Sequence, residues 1–80
     1  MTSTDKRLER MRLSPHDDWR IEDLKAAADR YAIAYRQPGG SHVTFRRADG
    51  RKLTVPARRP IKPVYIRLFV AFVEDEDGAA

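Results

Sequence analysis

The sequence predicts an α+β fold: one small domain in the order α-β-β-β-α, with two helices on one face of a three-stranded antiparallel sheet. Three observations carry this expectation. Eighty residues cannot be divided between two self-sufficient cores. Residues 21–31 repeat their apolar positions with a helical period, and residues 33–55 then switch to alternation. Asp49-Gly50, set between two alternating runs, is the strongest short-range hairpin signal and makes its flanking strands antiparallel.

Residues 1–18 are read as an N-terminal tail or a short helix. Asp5 to Leu13 has room for about two turns, with Thr4 as cap, Leu8 and Met11 as a sparse apolar stripe, and Ser14-Pro15 as the stop. A helix this short is marginal in water, so a frayed tail is the expectation. Trp19 opens the domain proper, residues 19–75. Ile21, Leu24, Ala27, Ala28 and Tyr31 share one helical face, three consecutive alanines favour helix, and Asp17 or Asp18 is the expected cap.

Ile33 and Tyr35 alternate with Ala34 and Arg36 in a short strand, and Pro38-Gly39-Gly40 punctuates the chain. Val43 and Phe45 alternate with His42, Thr44 and Arg46; beyond the hairpin, Leu53 and Val55 alternate with Lys52 and Thr54. Pro56, Pro60 and Pro63 then hold an extended basic loop. Val64 to Val73 is rich in β-branched and aromatic residues and fits either a buried strand or a helix. Pro63 suits a first helical turn and the acids from Glu74 give a solvated end, so helix is preferred. That reading puts Val64, Leu68, Ala71 and Phe72 on one face and leaves Ile66, Val70 and Val73 as surplus apolar surface. Residues 76–80 form an acidic tail.

Charge is placed unevenly. Sixteen Lys and Arg stand against twelve Asp and Glu, a formal charge of +4. Residues 36–67 hold nine of the bases and a single acid, Asp49, so the basicity belongs to one surface and points to an anionic partner. The absence of cysteine excludes a disulfide framework, a thiolate zinc site and a cysteine nucleophile. No apolar run is long enough for a membrane span, and the polar N-terminus has no signal-like apolar stretch, so a cytoplasmic protein without membrane contact is expected. No phosphate-binding glycine motif follows a strand, which argues against ATP and dinucleotides, and no cofactor is expected. Gly39 and Gly40 instead fit a positive-φ turn that lets a ligand approach the backbone closely.

The parity of the middle strand selects the chemistry. If Val43 and Phe45 face the helices, then His42, Thr44 and Arg46 face outward, together with Arg36, Lys52 and Thr54. An imidazole gives or takes a proton near neutral pH, and cations bind a phosphodiester and stabilise its charged transition state. RNA carries its own nucleophile in the 2′-hydroxyl, so proton transfer and cationic stabilisation suffice for its cleavage. His42 among arginines meets that minimum, although an exposed histidine beside a turn is more often a plain surface residue. His16, the other histidine, is given no role. The basic segment holds only Asp49, already used by the turn, so no carboxylate cluster is expected to hold magnesium. Arg58, Arg59 and Lys62, with no acid near them in sequence, precede the last helix and fit phosphate contact.

Gly40-Ser41-His42, Phe45, Asp49-Gly50-Arg51, Thr54-Val55-Pro56 and Lys62-Pro63 before a terminal helix, with Trp19 to Leu24 at the entry, resemble the HicA toxins. The likeness spans roughly residues 19–73. It implies a double-stranded-RNA-binding-domain-like fold, mRNA cleavage that arrests translation, and neutralisation by a HicB-like antitoxin in a hetero-oligomer. The family's catalytic histidine falls on His42, and Gly40, Ser41, Arg36, Arg46, Lys52, Arg58, Arg59 and Lys62 are the expected RNA contacts. Gly39 stands where the family often has lysine; Arg36 or Arg46 is available to supply that cation. Two other functions compete: a non-catalytic RNA-binding module, and a small interaction protein acting through its apolar last helix.

Overall fold

The computed structural model describes residues 6–74, and they form an α+β unit: α1 (Lys6–Leu13), α2 (Ile21–Arg30), β1 (Ala34–Arg36), β2 (His42–Arg46), β3 (Lys52–Pro56) and α3 (Pro63–Glu74). The strands form an open antiparallel sheet in the order β1-β2-β3. Val43, Phe45 and Val55 point inward and are fully buried, as the alternation predicts. They meet Leu24 of α2 and Phe69 of α3, and the Phe45 and Phe69 rings pack edge to face with centroids 5.0 Å apart. Among the described residues no helix covers the opposite face of the sheet, and its side chains are exposed or half-buried.

Residues 6–13 are helical rather than frayed. Leu8 and Met11 are buried among the core residues, and α1 packs against α3 and, less extensively, α2. Burying each of these side chains is worth about 1.5–3 kcal/mol, enough to offset the poor intrinsic stability of two turns. Arg12 pairs with Glu74 across the α1–α3 contact. Trp19 closes the lower end, donating from Nε1 to the Ser14 carbonyl at 2.9 Å while the Arg10 guanidinium lies 4.9 Å from its ring centre. Thr4 and Asp5, named as cap and start of this helix, and the acidic residues 76–80 lie outside the described residues.

Neither Asp17 nor Asp18 caps α2. Arg20 occupies the cap position, and its backbone N–H donates to the Asp23 carboxylate at 2.9 Å. The two aspartates instead pair with arginines: Asp17 with Arg10 at 3.5 Å and Asp18 with Arg59 at 2.6 Å. At the other end, Ala32 adopts φ 58°, with Ile33 N–H donating to the Ala28 carbonyl and Ala32 N–H to that of Asp29. This is a Schellman motif with alanine where glycine is favoured.

The helix from Pro63 is formed, but its buried face differs from the expected one. Ile66, Phe69, Val70 and Val73 point inward, while Val64 and Leu68 are 51% and 47% exposed. The supposed surplus is therefore core. Both the sheet and α1 cover that side, and a helix apolar nearly all round takes its inward face from what packs on it. Arg47 closes the helix end, with NH1 2.5 Å from the Phe72 carbonyl and its guanidinium 5.9 Å from the Phe72 ring centre. Among the described residues no helix is long and apolar enough to cross a membrane.

Candidate nucleic-acid interface

His42 opens β2 on the uncovered face of the sheet and is exposed. The turn before it is built by Gly39 and Gly40, at φ 79° and 85°, conformations that side chains with a Cβ adopt only with strain. Gln37 fastens this turn: its carbonyl accepts from Gly40 N–H at 3.3 Å, and its Nε2 donates to the Gly40 carbonyl at 2.9 Å. Gly40 thus shapes the loop, and its amide is already used there. Ser41 is tied to β3 through its carbonyl, which accepts from Ala57 N–H at 2.9 Å. Its Oγ lies 3.2 Å from His42 Nδ1, and Nε2 has no hydrogen-bond partner among the described residues.

The strand register arranges the open face in three rows. His42 sits opposite Pro56; Arg36, Thr44 and Thr54 form the middle row; Ala34, Arg46 and Lys52 form the last. Thr44 and Thr54 join their hydroxyls at 3.0 Å between the two ends. Arg46 and Lys52 therefore share the face of His42 but are not beside it. Four residues of strand put them ~13 Å away. Arg36, Thr44, Arg46 and Lys52 line an open groove of about 390 Å³.

The basic loop divides into two kinds of cation. Arg59 is not free of acids: its guanidinium makes a two-pronged contact with Asp18, Nε at 3.1 Å from Oδ1 and NH2 at 2.6 Å from Oδ2. That hydrogen bonding holds the Asp18 carboxyl below its ordinary range. The sequence places these partners far apart, which is why no acid was evident near Arg59. Arg58 and Lys62 make no ion pair among the described residues. They line a small pocket of about 90 Å³ with Pro56, Pro60 and Tyr65. The Ile61 N–H donates to the Trp19 carbonyl at 2.8 Å and anchors this loop to the core.

The same sorting applies at the hairpin. Asp49 accepts from Arg51 N–H at 3.0 Å and lies 3.5 Å and 3.7 Å from the Arg51 and Arg47 guanidinium groups. Arg36, Arg46 and Lys52 have no such partner among the described residues. Among those residues no three His, Asp or Glu side chains converge. Sequence reasoning missed Tyr65 and Pro56 as pocket walls and the Thr44–Thr54 pair as a site feature. The pairing of Thr44 with Thr54 was implicit in the hairpin centred on Asp49-Gly50, whereas Tyr65 carries no signal beyond its place in the turn after Pro63.

Among the described residues the arrangement offers one exposed imidazole, hydroxyls and cations without ion-pair partners on a face whose strands carry no carboxylate, suited to binding a phosphodiester chain and moving a proton. No protein-family model, curated protein or solved structure matches the chain.

Proposed function

We propose that the chain is the toxin component of a type II toxin–antitoxin system, a metal-independent endoribonuclease that cleaves mRNA and inhibits translation. The observation that carries this reading is His42 standing exposed on a face whose cations Arg36, Arg46 and Lys52 have no acidic partner among the described residues. In the reaction the 2′-hydroxyl oxygen bonds to phosphorus as its proton passes to a base. The bond from phosphorus to the 5′ oxygen breaks as that oxygen takes a proton. His42 Nε2 is the group that serves one of these transfers, and the cations of the face hold the RNA backbone around it.

The proposed partner is a HicB-like antitoxin, acidic or neutral, forming a hetero-oligomer that shields His42. Ile66, Val70 and Val73 are unavailable to it because they are buried, so its contact falls on the open sheet face. A specific observation favours the non-catalytic RNA-binding alternative: among the described residues the His42 ring hydrogen-bonds to Ser41 Oγ and no carboxylate orients it. Expression in a host without antitoxin separates the two. Wild type should arrest growth, and His42→Ala should permit it while keeping RNA affinity. Growth arrest by a folded His42→Ala protein contradicts the catalytic assignment.

A further inference from the structure

Two depressions flank His42, and it lines neither. Its partner across the sheet, Pro56, forms a wall of the small pocket that holds Arg58, Lys62 and Tyr65. Two residues further along β2, Thr44 forms a wall of the larger groove that holds Arg36, Arg46 and Lys52. His42 therefore stands on the divide between two cationic hollows.

The sorting of charges follows the same line. Arg47, Arg51 and Arg59 are matched with Asp49 or Asp18, whereas the five cations in the two hollows have no ion-pair partner among the described residues. A cation left unmatched on a folded surface keeps its full attraction for a phosphate. The outward strand residues are Ala34, Arg36, His42, Thr44, Arg46, Lys52, Thr54 and Pro56, of which His42 carries the one aromatic ring, while Tyr35 lines the groove and Tyr65 the pocket. Hydroxyls and cations recognise phosphate and ribose, which makes this a surface for the backbone of the chain.

We infer that His42 works on the divide between two phosphate subsites of one ribonucleotide chain, one in the Arg58–Lys62–Tyr65 pocket and one in the Arg36–Arg46–Lys52 groove. The inference rests on the ribonuclease reading and adds how the substrate lies: along β2 and β3, with phosphates held on both sides of the cleaved bond. The far cations stand ~13 Å along the strand from His42, so the substrate must extend several nucleotides past the cut.

Two double variants of the full chain test this, Arg46→Ala with Lys52→Ala and Arg58→Ala with Lys62→Ala. The probes are a dinucleoside monophosphate, which carries only the scissile phosphate, and a decanucleotide RNA. Each double variant should lose about tenfold or more in affinity for the decanucleotide, with a salt slope reduced by about one per cation removed. Affinity for the dinucleoside monophosphate should not change. Exchanging charges in kind, Arg46→Lys with Lys52→Arg, should restore decanucleotide binding. Wild-type affinity for the decanucleotide in either double variant overturns the two-subsite arrangement, as does an equal loss for both probes. If wild type cleaves neither RNA but the decanucleotide losses occur, the ribonuclease reading fails while the two backbone subsites stand.

Discussion

Asp18 and Arg59, separated by 41 positions in the chain, face each other in a two-pronged ion pair that ties the segment before α2 to the loop before α3. The contact removes Arg59 from the set of cations available to RNA. Arg59→Ala should therefore weaken RNA binding far less than Arg58→Ala, and Asp18→Asn should strengthen it by releasing the guanidinium. Titrations of the three variants check the order; an Arg59→Ala loss equal to that of Arg58→Ala contradicts it.

The same pair has a pH signature. Asp18 titrates lower in the folded protein than in the unfolded chain, so its contribution to stability is present above the ordinary aspartate pKa. It is lost as pH falls through the folded value. Thermal unfolding followed from neutral pH into that acidic range should show a smaller fall in stability for Asp18→Asn than for wild type. Both side chains are exposed, so the difference is modest and shrinks with added salt.

Met11 anchors α1 in the core with none of its surface exposed. Met11→Ala should cost about 2–5 kcal/mol, a large part of the stability of a domain this size. A change within about 0.5 kcal/mol would mean that residues 6–13 do not pack as described.

Ala32 sits in the left-handed region at the end of α2. Ala32→Gly removes the Cβ penalty and should stabilise by about 1 kcal/mol, raising the melting temperature by about 4–8 °C. A lower melting temperature for the glycine variant would contradict the Schellman geometry.

Much of this architecture is legible in the residues, and what is not has identifiable causes. The parity of β2 follows from Val43 and Phe45, because one buried face leaves a strand only one acceptable register. Asp49 and Gly50 mark the hairpin because the turn needs a positive φ at position 50 and a side chain that holds Arg51 N–H. The packing of α1 was not legible, since two apolar side chains form a stable helix only once the core they meet exists. The inward face of α3 was not legible either: Val64 and Leu68 are as apolar as Ile66 and Val70, and only the neighbours on one side distinguish them. On the site, His42 and the outward cations could be read from alternation. The distance from His42 to Arg46, and the partner that claims Arg59, come from strand register and a tertiary contact that spacing does not encode.

Cleavage should not require a divalent metal. Asp49, the one acid in residues 36–67, is occupied by the turn and its two arginines, and no carboxylate cluster forms among the described residues. Activity should persist in excess EDTA; a loss reversed specifically by magnesium or manganese contradicts the acid–base mechanism.

The central claim is that His42 moves a proton in RNA cleavage, and purified protein with a defined RNA tests it most directly. Binding and cleavage are measured in parallel for wild type and His42→Ala, with EDTA present and the salt concentration fixed. The account predicts nearly equal affinities, cleavage by wild type, and cleavage by the variant reduced by about a hundredfold or more. Cleavage at the wild-type rate by a folded His42→Ala protein, or no cleavage by wild type on RNA that it binds, would contradict it.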